Sequence, residues 1–137
     1  MFTRTLMACT LMALSVGAIA ADSPPASKVT EVFNQPLPNV PGKSMRVVEV
    51  DYAPGAASPS HRHPKTAFIY ATVIEGEISS AVNGEPARTF KAGESWSESP
   101  GDFHGVSANA SKTKPARLKA VFVLDSSETQ LVTPADK

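Results

Sequence analysis

From Ser44 onward the chain is written in short runs of alternating or β-branched residues, each cut off by glycine or proline, with no helix-period segment of normal length. Val48, Val50 and Tyr52 alternate with Glu49 and Asp51, the two-residue period of a half-buried strand. Residues 66–74 concentrate Phe68, Ile69, Tyr70, Thr72, Val73 and Ile74, and Gly76 punctuates the run. Residues 77–82 and 87–91 flank Asn83-Gly84, and both of these residues accept the positive φ of a tight hairpin turn. Shorter strands follow at 93–96, 104–109 and 118–124, with Pro100-Gly101 as a turn. Frequent short strands separated by such turns predict an all-β sandwich or closed barrel. A length of 137 residues argues for one domain.

The two ends read differently. Arg4 precedes an apolar stretch over residues 6–20 that closes on Ala18-Ile19-Ala20, the three parts of a secretory signal peptide cleaved after Ala20. That stretch is short for a spanning helix, which needs about 20 residues. The expectation is therefore an exported protein, periplasmic or extracellular, with no membrane attachment after cleavage. Residues 21–43 form a proline-rich leader with a strand or arm near 29–33, and Pro36, Pro38 and Pro41 force an irregular crossing. Residues 44–125 are the barrel, and residues 126–137 read as a polar, frayed tail.

Export has chemical consequences. The single cysteine, Cys9, lies in the signal segment, so the mature chain has no disulfide and no thiolate. Any metal site must be built from nitrogen and oxygen donors. Without Arg4, twelve basic residues stand against thirteen acidic ones, with no basic patch. Charge therefore gives no footing for nucleic acid.

The three histidines carry the functional reading. His61 and His63 are two residues apart, so on a strand both imidazoles enter one interior while Arg62 points away. Imidazole suits Zn, Fe, Ni and Cu. The surrounding frame runs Gly55-Ala-Ala-Ser-Pro-Ser-His61-Arg-His63-Pro to Val73-Ile-Glu-Gly76, then Gly93-Glu-Ser-Trp-Ser-Glu-Ser-Pro-Gly101-Asp-Phe-His104. These two stretches resemble the paired motifs of the cupin superfamily, over residues 44–125. The resemblance implies a jelly-roll barrel, a double-stranded β-helix, with His61, His63 and His104 holding a divalent ion such as Fe, Zn, Ni or Mn. It departs from the family in one respect that bears on the metal. No carboxylate lies between His63 and Ile74, and Ala67 or Phe68 stands where the family's glutamate ligand belongs. The implied site is a three-histidine version, of a kind some cupin oxygenases use.

Other residues are candidates for the same site. Glu98, on the strand leading to His104, is either a carboxylate at the metal, as ligand, acceptor or general base, or an exposed strand glutamate. Tyr70 is a candidate hydrogen-bond donor to a metal-bound group. Phe68, Trp96 and Phe103, with Phe122, are candidates to line an apolar pocket, although aromatics in a small barrel also serve as plain core. The resemblance implies a metallo-enzyme, dioxygenase-like in preference to isomerase or lyase, acting on a small organic molecule. Two alternatives stay open: a non-catalytic module that binds metal or a small ligand, and a metal-free structural barrel. The family also implies a homodimer paired through its sheets.

Overall fold

A computed structural model describes residues 27–135. The expected signal peptide, Cys9 and the first part of the expected leader lie outside the described residues. The described chain is all β, with eleven strands. They are β1 (Ser27–Pro36), β2 (Lys43–Tyr52), β3 (Ala57–Ser58), β4 (His61–Arg62), β5 (Phe68–Glu75), β6 (Glu77–Val82), β7 (Arg88–Lys91), β8 (Ser95–Glu98), β9 (Phe103–Asn109), β10 (Ala116–Asp125) and β11 (Thr133–Pro134). One sheet has the order β1-β2-β10-β5-β8, and the other β11-β4-β9-β6-β7 with β3 also on β9. Every pairing is antiparallel. The strand-to-sheet crossings make the jelly-roll expected from the sequence.

The local chemistry explains the turns. Asn83 and Gly84 both take positive φ, 54° and 78°, and close β6 onto β7 as predicted. Gly76 (φ 69°) is required twice over, because a Cβ there would meet the Pro115 carbonyl oxygen at 2.5 Å. Asn109 acts as a staple: its amide donates to the carbonyls of Ala53 and Lys114, and its oxygen accepts from the Ser111 backbone. The prolines end β1 at Pro36, and the Leu37 N–H bonds the Lys43 carbonyl as the chain turns into β2.

Strand alternation fills the barrel. Along β10, Leu118, Ala120, Phe122 and Leu124 face inward, and the residues between them are half-exposed. Their partners across β2 and β5 form inward rows: Val50–Leu118–Val73, then Val48–Ala120–Ala71, then Phe122–Ile69. The tail departs from the sequence expectation. Residues 133–134 pair with β4, and the backbone of Leu131 reaches the site, so this segment is held in place. The sequence hides this, because the tail is anchored largely through its backbone groups, with Thr133 Oγ1 adding a bond to the Arg62 carbonyl.

Candidate metal centre

Two paired strands bring the histidines together. His61 opens β4, His63 follows its end, and His104 lies directly opposite His61 on β9. Candidate ligand atoms of the three lie within 4.8 Å of one another. The ring centroids of His61 and His63 are 4.8 Å apart, and those of His61 and His104 are 5.2 Å apart. The spacing of one residue therefore does what alternation predicts, although regular pairing in β4 stops at Arg62.

The outer ring atoms are fixed by hydrogen bonds. His61 Nδ1 lies 2.8 Å from the Pro59 carbonyl, and His63 Nδ1 lies 2.9 Å from the Leu131 carbonyl. A carbonyl only accepts, so each Nδ1 carries the hydrogen. In the neutral ring that leaves Nε2 with a free lone pair, the usual arrangement of a metal-ligating histidine and its outer partner. His104 places Nε2 at 2.9 Å from the Ser80 hydroxyl and turns Nδ1 toward Glu98. Burial holds His104 down to about 4, against the partial opposition of the Glu98 charge. Burial also lowers His61, more than its bond to the Pro59 carbonyl raises it. Both imidazoles are thus neutral and able to ligate at pH 7.

Glu98 is the residue for which sequence left two readings, and it belongs to the site. It is 2% exposed. Its Oε1 accepts from Trp96 Nε1 at 3.0 Å and lies 3.4 Å from His104 Nδ1. Its Oε2 is 3.1 Å from His63 Nε2, but the angle makes no hydrogen bond, so this buried oxygen has no donor. Burial raises its pKa, yet the close approach of His63 and the charges of His104 and His63, with the bond from Trp96, outweigh burial and hold it below the usual range. A buried, ionised oxygen facing imidazole lone pairs calls for a cation. Three imidazole nitrogens and one carboxylate oxygen are donors that fit a divalent ion. Glu98 pairs with Ile69 on β5, two residues from Ala67. The carboxylate missing from the first motif is thus offered from the neighbouring strand.

The other candidates divide by strand parity. Trp96 lines the cavity beside the histidines, and so does Phe122, whose ring centroid is 5.6 Å from that of His63. Phe68 and Tyr70 do not. They alternate with the inward Ile69 and Ala71, are 49% and 51% exposed, and face outward, where Tyr70 donates to Ser95 Oγ. Phe103 also misses the cavity and lies under the Arg62 guanidinium at 5.2 Å. Sequence reasoning overlooked Tyr52, Ser80 and the Leu131 carbonyl. Tyr52 continues the inward parity of Val48 and Val50, and Ser80 shares the parity of Ile78, so polar residues at inward positions were the available signal. The Tyr52 hydroxyl is bonded to Ser58 and Ser107, both at 2.8 Å, and burial pushes its pKa up.

A family model described as "Cupin domain" matches residues 48–124. The chain belongs to the cupin family. Among solved structures, this cupin is similar to an oxalate oxidase in complex with the substrate analogue glycolate, at 32% identity and a TM-score of 0.58. The match covers 74% of this chain and 52% of that one, so this cupin spans about half the length of that oxidase. A double-stranded β-helix protein from Klebsiella pneumoniae is 22% identical with a TM-score of 0.61, covering 82% of this chain and 88% of that one. A cupin 2 conserved barrel protein from Salinispora arenicola is 21% identical with a TM-score of 0.55, covering 73% and 76% respectively. At those identities the last two bear on the fold alone. Among curated protein sequences, none matches this cupin.

Proposed function

We propose that this cupin binds a divalent metal ion through His61, His63, His104 and Glu98 and acts as an exported metallo-enzyme on a small organic molecule. The observation that carries this reading is the Glu98 oxygen, buried without a donor among three clustered imidazoles. When bound, the ion would supply Lewis-acid polarisation or, as iron, reaction with dioxygen. The protein's own residues do the rest. The Pro59 and Leu131 carbonyls fix two imidazole tautomers, and the Ser80 hydroxyl bonds the third ring. Trp96 orients the Glu98 carboxylate. The apolar wall of Ile69, Ala71 and Phe122 lines the space beside the reacting end. The likeness to an oxalate oxidase supports an oxygen-linked oxidation in preference to isomerase or lyase chemistry.

Metal content by mass spectrometry, followed by oxygen uptake on a panel of catechols, thiols and flavonols, tests the proposal. Near-stoichiometric iron with uptake on one class supports it. No retained metal after reconstitution with iron, zinc, nickel, manganese and copper would overturn it. A second reading, a non-catalytic binding module, draws on one observation: the Tyr52 hydroxyl is already committed to two serines. Ligand binding without product formation would favour it.

Export rests on residues 1–20, and detection of a chain beginning at Ala21 outside the cytoplasm is the check. A homodimer is supported by the outer face of the five-stranded wall, β1-β2-β10-β5-β8, where Phe33, Phe68 and Tyr70 are about half exposed. Light scattering at micromolar concentration decides between dimer and monomer.

A further inference from the structure

The barrel holds a cavity of about 310 Å³ that runs from the histidines along the inner face of β2, β10 and β5. Its origin is legible in the rows. Between the filled rows Val50–Leu118–Val73 and Phe122–Ile69 lies Val48–Ala120–Ala71, with Trp96 next to Ala71. Two adjacent alanines in the middle of a sheet leave a hollow that leucine or valine would fill. Rows on one face are two residues apart, roughly 7 Å. The hollow thus begins about one row away from Glu98.

The chemistry of the lining is one-sided. Among the described residues no lysine or arginine lines the cavity, and the only formal charge there is Glu98. Arg46 shares the inward register with Phe122, but its guanidinium is held at the barrel end by Glu31 and the Glu128 carbonyl. A dicarboxylate in the cavity would have at most the bound ion as counter-charge, already half spent on Glu98. Unpaired charge in such surroundings is costly. The unspent polar capacity lies at one end, in the imidazoles and the Glu98 oxygen. The hydroxyl of Tyr52 is already bonded to its serines. A volume at the lower end of the range for small-molecule sites admits something close to a single ring.

We propose that the cavity takes a small, uncharged, predominantly apolar molecule with one oxygen-bearing end directed to the histidine–Glu98 centre, and that it rejects dicarboxylates. This deepens the metallo-enzyme reading and rests on it for the identity of the polar end. Trp96, the only tryptophan of the chain, lines the cavity and supplies the readout. The experiment titrates metal-free and zinc-loaded protein with benzyl alcohol and with oxalate, following tryptophan fluorescence and measuring zinc content on the same samples. The expected result is saturable binding of benzyl alcohol, at least tenfold tighter than oxalate, in both preparations. Ala120→Leu should weaken benzyl alcohol at least tenfold while zinc content and melting temperature hold; Ala71→Val serves if that variant does not fold. Tighter binding of oxalate, or unchanged benzyl alcohol binding in a folded cavity-filling variant, would overturn the proposal. Zinc content separates the two readings. Benzyl alcohol binding without zinc uptake sinks the metal centre and leaves the apolar site. Zinc uptake without benzyl alcohol binding does the reverse.

Discussion

The two faces of the sheet built on β2, β10 and β5 follow the same two-residue alternation yet treat charge in opposite ways. On the outer face, Glu49 meets Lys119 at 3.2 Å and Lys43 meets Asp125 at 2.6 Å, with all four side chains partly exposed. Water solvates these groups whether or not they pair, so such bridges generally contribute about 0–1 kcal/mol. On the inner side, Glu98 lies 2% exposed against His63 and His104, with one oxygen lacking any donor. A buried carboxylate without full pairing is destabilising. Stability therefore accounts for the outer charges and not for the inner ones. The inner cluster is the part of the molecule shaped for binding, and a cation is what would repay its burial.

The sharpest way to break this contrast is His63→Ala. Zinc affinity at structural sites runs to about 10–16 kcal/mol, so one ligand of three or four is responsible for roughly 3–4 kcal/mol. Isothermal titration with zinc should show a loss of several hundredfold or more, and unchanged affinity would remove His63 from the ligand set. Acidification comes next. His104 titrates near 4 in the folded protein against an ordinary 6.5, so the unfolded chain takes up a proton that the native state refuses. Stability is then full above about pH 6.5 and is lost as pH falls toward 4. The loss is on the order of 3 kcal/mol for this group in metal-free protein. His61, also lowered, adds in the same direction. Urea midpoints across that range are the check, and a flat profile would contradict the buried neutral imidazole.

Glu98→Gln separates binding from folding at the same site. It should cost at least about 10- to 100-fold in metal affinity, less than removal of an imidazole, because the neutral amide oxygen can still ligate the ion. It should not lower the melting temperature of the metal-free protein, because the amide oxygen still accepts from Trp96. A large loss of stability would mean that the carboxylate serves the fold. The smallest effect is expected outside: Glu49→Gln should shift stability by less than about 0.5 kcal/mol in thermal melts, and a greater loss would make the outer ladder structural.

The longer barrel strands from β2 onward, the hairpin at Asn83-Gly84 and the convergence of three histidines were legible, because alternation and turn chemistry act locally, whereas the short strands β3 and β11 were not. Glu98 was not, because its burial depends on β5 pairing with β8 in the register that sets Ile69 against it. Phe68 and Tyr70 were misplaced because aromatic character suggested a pocket where parity pointed outward, and the alanines at 71 and 120 carry no pattern of their own yet open the cavity. The Leu131 carbonyl acts through backbone alone, which leaves no mark in side-chain pattern.

X-ray absorption spectroscopy on zinc-loaded protein tests the central claim most directly, since it counts the donors around the ion. Three imidazole nitrogens at about 2.0–2.1 Å together with carboxylate oxygen are expected, with the oxygen contribution changed in Glu98→Gln. An all-oxygen shell without imidazole scattering would contradict the site.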